Sequence, residues 1–299
     1  MKLNFDEIIS FSKNYNYEKI SKKQDREVYQ VSNKITLKKY IFKIIENKNL
    51  DDLNRLKYRL KILSKKLNLS KLLFSKYDEK TKKTYYLYEY IKSNKFEINE
   101  NSIKDLAKLI FDFNEIVLTN FTKIKLTNDY FSNENKIKSK IKLPFLLNIL
   151  KYNKSYFEMK TNYYYLCLMD TNINNLVYSN NKLFLLDYDE FNYGELEFDL
   201  SGYFLEFKKQ NKLHLFLKLI AEINNLKKQN ILNTLTTPTY IIYPTTNNLN
   251  LIDLEKIKQY IIFRLFIKIG NSNISIKSLL NKYYYYYYIN KLIHLEFDY

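Results

Sequence analysis

Cysteine, histidine, glycine and tryptophan are nearly missing from this chain of 299 residues, which has one Cys, two His, three Gly and no Trp. The single cysteine, Cys167, excludes an intramolecular disulfide, and two histidines are too few for a zinc-ligand cluster. A reducing, intracellular setting fits both absences. Long apolar runs are missing as well. The first ten residues carry Asp6 and Glu7 where a signal peptide would have an apolar core, and the most hydrophobic late stretch, 260–269, is interrupted by Arg264 and Lys268. No membrane span is expected, and the expected location is cytoplasmic.

What is present suits a folded protein. Apolar residues make up 46% and charged residues 27%, with a mean hydropathy of -0.42, far from the composition of disordered chains. The length suits two domains or one bilobal one. Tyr reaches 30 and Phe 20, while Ala occurs only at Ala107 and Ala221. Lys, Asn, Ile, Phe and Tyr all have codons made only of A and T, so coding bias inflates them together. A net charge of +17 would ordinarily point to nucleic acid, anionic membrane or phosphorylated ligands, but the lysines are dispersed along the whole chain. Coding bias and a functional basic surface both remain open as its origin. No nucleic-acid motif is present and no specific nucleic-acid partner is expected; weak contact with an anionic surface and a homodimer stay open.

Short bursts of β-branched and aromatic residues from Glu27 to Ile45 predict a hairpin or meander, and Leu53, Leu56, Leu60, Leu63 and Leu67 follow at helical spacing. Two further strands are expected over Leu72–Tyr77 and Thr84–Ile91, about the polar turn 78–83. A lobe boundary falls near Lys92, after which Ser102 and Asp105 form an S-x-x-D cap before an apolar helical pattern. Helical patterns then dominate over 143–150, 201–226, 251–269 and 276–295, with one hairpin, Leu176–Tyr178 and Leu183–Asp187, about the turn 179–182. The run Tyr283–Tyr288 lies in a helical pattern, with a biased tract as the alternative.

Acidic and amide groups punctuate apolar ones between Cys167 and Leu200. Asp170 follows an apolar segment, Asn175 opens the hairpin and Asp187 closes it, so a tight antiparallel pair brings Asn175 and Asp187 to the same end. Each residue alone is an ordinary turn residue. Together they supply what phosphoryl transfer from a nucleotide needs: a carboxylate for the attacking hydroxyl, and Asn and Asp oxygens for Mg²⁺ bridging the phosphates.

Here the chain resembles the choline/ethanolamine kinases, within the wider aminoglycoside-phosphotransferase-like kinases that share the protein-kinase fold. Leu168-Met169-Asp170 through Asn175 matches the H-x-D-x-x-x-x-N loop, Leu186-Asp187-Tyr188-Asp189 the I-D-[FY]-E segment, and 198–206 the pattern F-D-[IL]-x-x-x-F-x-E. The resemblance implies an α+β, bilobal protein-kinase-like fold, with a small strand-rich N-terminal lobe (1–92) that binds nucleotide and a larger, mainly helical C-terminal lobe (93–299) that carries catalysis and substrate. It implies ATP and Mg²⁺ as cofactors, with Asp170 as the catalytic base and Asn175 and Asp187 as metal ligands. Asp199 braces the catalytic loop. Lys43, at the end of the strand Tyr40-Ile41-Phe42-Lys43, contacts phosphates, and the backbone of Glu89 and Ile91 holds adenine. Asn172, Glu206, Phe263, Phe266 and Tyr283 line the pocket of a small-molecule amino alcohol, where aromatic faces attract a quaternary ammonium.

Three departures stand beside these matches. Leu168 replaces the family His, the glycine-bearing nucleotide loop falls at Lys23–Arg26 without a Gly, and the helix of Leu53–Leu67 lacks the Glu that pairs with the strand lysine, a place open to Glu46, Asp51 or Asp52. The implied activity is ATP-dependent phosphorylation of the choline or ethanolamine hydroxyl, a step toward phospholipid headgroups. The alternatives are another hydroxylated amine, such as thiamine or an aminoglycoside, or a degenerate kinase scaffold used for binding.

Overall fold

The structure, a computed structural model, describes residues 5–23, 25–46, 50–115, 165–168, 171–188, 192–194, 196–236, 252–254, 256–258, 260–261 and 264–265. The chain divides into two compact units, one of residues 1–96 with 174–189 and one of 97–173 with 190–299.

In the first unit a short helix α1 (Phe5–Ile9) precedes strands β1 (Tyr15–Lys23), β2 (Arg26–Asn33) and β3 (Lys39–Glu46), helix α2 (Leu50–Leu63), and strands β4 (Leu72–Asp78) and β5 (Lys83–Glu89). The strands form one antiparallel sheet in the order β1-β2-β3-β5-β4. Alternation splits it into two faces. Tyr29, Val31, Phe42, Ile44, Tyr85 and Leu87 gather on one, packed with Ile8 of α1. Val28, paired with Lys43, and Lys43, paired with Tyr86, mark the other face, and Arg26, opposite Ile45, shares it. β1 was not foreseen, because only Tyr15 and Tyr17 of its sequence YNYEKISKK join the core, at one end of a largely exposed edge strand.

The unit is completed by β6 (Asn94–Lys95), β8 (Leu176–Ser179) and β9 (Lys182–Leu185), a three-stranded sheet in the order β6-β8-β9. Asn180 and Asn181, at φ 49° and 57°, make the hairpin turn. With three glycines in the whole chain, asparagine supplies this left-handed backbone.

In the second unit α3 (Glu100–Asn114) starts before the expected Ser102 cap. Asn99 is the N-cap, accepting from the Asn101 and Ser102 amides at 3.0 Å, while Ser102 Oγ accepts from the Asn99 amide at 2.9 Å in a capping box. β7 (Tyr165–Cys167) pairs with β10 (Asn192–Gly194). The pattern expected as one helix over 201–226 is two, α4 (Leu196–Lys209) and α5 (Leu213–Thr236). Asn211, at φ 58°, breaks it, and the Lys212 amide donates to Phe207 O at 2.9 Å as a C-terminal cap. The patterns 143–150 and 276–295 and the Tyr283–Tyr288 run lie outside the described residues. Among the described residues no helix is long and apolar enough to cross a membrane.

Candidate active site

In the first unit the β8–β9 hairpin is tied to the segment before β4, since the Leu185 amide donates to Asn68 O at 3.1 Å and Asn68 Nδ2 to Leu183 O at 3.1 Å. The Leu186 amide donates to Asn175 O at 2.8 Å, extending the ladder by one step, so Asn175 and Asp187 lie at the same end of the hairpin. Tyr188, the next residue, is buried, packs edge-to-face on Tyr88 of β5 at 6.1 Å and donates its hydroxyl to Ser70 O at 2.5 Å. Ser70 Oγ in turn donates to Glu89 O at 2.8 Å. A chain of hydrogen bonds therefore links the residue after Asp187 to the end of β5.

This docking presents Asp187 to the face of the sheet that carries Lys43 and Arg26. Lys43 Nζ meets Asp187 Oδ1 at 3.0 Å, and Arg26 Nη1 meets Asp187 Oδ2 at 3.4 Å. Lys43 lies in the middle of β3, not at its end, and its side chain is only 9% exposed, against 34% for Asp187. Burying an ammonium costs several kcal/mol, which an opposite charge at 3.0 Å offsets with about 5 kcal/mol at an effective dielectric of ~20. Glu46, one candidate partner for Lys43, instead binds Lys83 at 3.3 Å.

At the end of β5 the Glu89 amide donates to Lys71 O at 2.9 Å, so its carbonyl is the group with acceptor capacity for a ligand, beside half-buried Ile91. Asn172 is exposed, just before a 3₁₀ turn at Ile173–Asn175.

In the second unit Asp199, 1% exposed in the first turn of α4, accepts the Leu168 amide on Oδ2 at 2.6 Å. Glu206, two turns along α4, has a side chain 18% exposed, with Lys209 Nζ 3.8 Å away. Burial raises the Glu197 carboxyl and lowers the Lys227 ammonium, each partly countered by the other's charge. Asp170, Phe263, Phe266 and Tyr283 lie outside the described residues.

One of the chain's few glycines is required here. A Cβ on Gly202 of α4 would come 1.9 Å from Thr171 Oγ1, 3.0 Å from Thr171 Cβ and 3.1 Å from Arg264 Cζ. Arg264 cannot easily yield, because its Nε donates to Ser201 Oγ at 2.8 Å and its guanidinium lies 4.0 Å from the Phe198 ring centre. Gly202→Ala should therefore destabilise by about 1–3 kcal/mol through overpacking, although alanine is the better helix former by about 1 kcal/mol. Urea unfolding checks this, and an unchanged midpoint would refute the close approach.

Arg26 is the residue sequence reasoning missed. It was noted only as part of a glycine-free turn, and no local signal connects it to a carboxylate 161 positions away.

No protein-family model matches the sequence, and the search of curated proteins finds no match. Solved structures do match in three dimensions. A thermostable mutant of an aminoglycoside phosphotransferase, in ternary complex with ADP and hygromycin B, aligns over 97% of this chain and 96% of its own with a TM-score of 0.63 at 10% identity. An ethanolamine kinase of Plasmodium vivax aligns over 94% of this chain and 84% of its own, with a TM-score of 0.61 at 14% identity. A spectinomycin phosphotransferase, in complex with ADP and spectinomycin, aligns over 94% and 92%, with a TM-score of 0.53 at 13% identity. The likeness shows the fold. This is the protein-kinase-like fold, with an antiparallel-sheet N-terminal part and a helical C-terminal part.

Proposed function

We propose that the chain is a cytoplasmic, ATP- and Mg²⁺-dependent small-molecule kinase that phosphorylates the hydroxyl of choline or ethanolamine. The carrying observation is the convergence of Lys43 and Asp187 at 3.0 Å on one face of a kinase-like sheet, with Asn175 at the same end of the hairpin. Residues 1–92 hold the nucleotide, and 93–299 carry the base and the acceptor.

An Asn amide and an Asp carboxylate are hard oxygen donors that suit Mg²⁺, which takes one or two carboxylates and fills the remaining positions with phosphate oxygens and water. Among the described residues no cluster of three or more His, Cys, Asp or Glu side chains could hold a metal. When bound, the ion neutralises charge on the phosphates. Lys43 holds phosphate oxygens, the Glu89 carbonyl accepts from adenine, Asp170 orients the acceptor hydroxyl and takes its proton, and Asp199 steadies the start of that loop through the Leu168 amide.

Glu206, with Phe263, Phe266 and Tyr283, forms the site for the cationic amine. Glu206→Gln should raise KM for the amino alcohol at least about tenfold, about 1.4 kcal/mol, with KM for ATP unchanged. Steady-state kinetics varying each substrate checks it. The likeness to aminoglycoside phosphotransferases is as strong as that to the ethanolamine kinase, which favours a larger hydroxylated amine as the second reading. A coupled assay of ADP release across choline, ethanolamine, thiamine and aminoglycosides separates the two, and no release with any of them would overturn both.

A further inference from the structure

We propose that Arg26 and Lys43 form a side-chain phosphate clamp that replaces the missing glycine loop, with Asp187 holding both cations in place until a nucleotide arrives. This rests on the kinase reading above and names how the same site grips phosphates. Lys23 pairs with Arg26, and the intervening Gln24 and Asp25 include no Gly. Without glycine a backbone approaches a polyphosphate less closely, which leaves those contacts to side chains.

The geometry supplies them. Arg26 and Lys43 stand on adjacent strands on the same face, a diagonal pair in the register Arg26↔Ile45 and Val28↔Lys43. Their side chains are 13% and 9% exposed, and each reaches a different oxygen of Asp187. A bulge between Lys19 and Ser21 adds local twist to the hairpin close to its tip. Two planar-arrayed oxygens that accept one guanidinium and one ammonium resemble a phosphate edge, and an arginine fork matches either anion. With a nucleotide bound, the two cations would pass to phosphate oxygens and Asp187 would be the residue left to hold a metal. The exchange conserves their charge pairing, so neither cation is left buried against nothing.

The test is equilibrium binding by titration calorimetry of ADP, adenosine and MgATP to the full chain, as wild type, Arg26→Ala and Arg26→Lys. Arg26→Ala should weaken metal-free ADP, measured in EDTA, about tenfold or more and leave adenosine unchanged, with Arg26→Lys intermediate. If Arg26 only positions Asp187, MgATP alone would weaken and metal-free ADP would not, which overturns the clamp. Equal ADP affinity in all three proteins overturns it as well, while wild-type binding of MgATP leaves the kinase reading standing. Failure of the wild type to bind any nucleotide sinks the kinase reading itself. Should Arg26→Ala fail to fold, Arg26→Lys carries the decision, since wild-type ADP affinity in that variant would show that no fork contact to phosphate exists.

Discussion

Asp187→Ala should lower turnover by about 10²–10³-fold, the scale on which loss of a preorganised electrostatic contact to the transferring group acts. The same substitution takes the shared counter-charge from Lys43 and Arg26, whose side chains are 9% and 13% exposed. Breaking a fully buried ion pair costs about 3–5 kcal/mol; because Asp187 is itself 34% exposed, water screens part of the loss and about 1–3 kcal/mol is expected. Two independent readouts therefore move together: the Mg²⁺ dependence of turnover and the thermal midpoint. Asp187→Asn removes the charge but keeps a hydrogen-bond acceptor for Lys43, so it should lose metal dependence as fully as Asp187→Ala with a smaller drop in thermal midpoint. A variant that lost stability without any change in kcat or metal dependence would remove Asp187 from the site.

Asp170→Asn should cut kcat by about 10²–10⁴-fold and leave Kd for MgATP within about twofold, because it removes the base without touching the groups assigned to the nucleotide. The two carboxylates thus have different signatures. In the proposed kinase Asp187 would govern metal and nucleotide together, whereas Asp170 would govern the proton of the acceptor. Stopped kinetics beside direct nucleotide binding distinguishes them, and unchanged kcat in Asp170→Asn would overturn its role as base.

Local signals carried much of the secondary structure. The β8–β9 hairpin was legible because apolar bursts flank Ser-Asn-Asn-Lys, and two asparagines tolerate the positive φ a tight turn demands. β3, β4, β5 and α2 were legible from periodicity, with ends displaced by a few residues where strands outrun or fall short of their apolar stretch. β1 and the break between α4 and α5 were not. In β1 the core-facing alternation is limited to Tyr15 and Tyr17, too short to betray a nine-residue strand, and Asn211 interrupts a helical pattern with a single backbone angle rather than a change in hydropathy.

The candidate site divides along the same line. Asp187 could be picked out from its place at the hairpin's end, and Lys43 only from the resemblance of its strand to the kinases. That Lys43 is buried, that Arg26 shares its carboxylate, and that Tyr188 reaches Ser70 could not. The sequence by itself determined the local elements and the oxygen donors at the hairpin's end, because backbone preference and alternation act over windows of a few residues. Only the tertiary structure decided which charges meet and why Gly202 must lack a side chain. Those contacts join residues from 31 to 161 positions apart, and their distances follow from how the elements dock, not from anything within either segment.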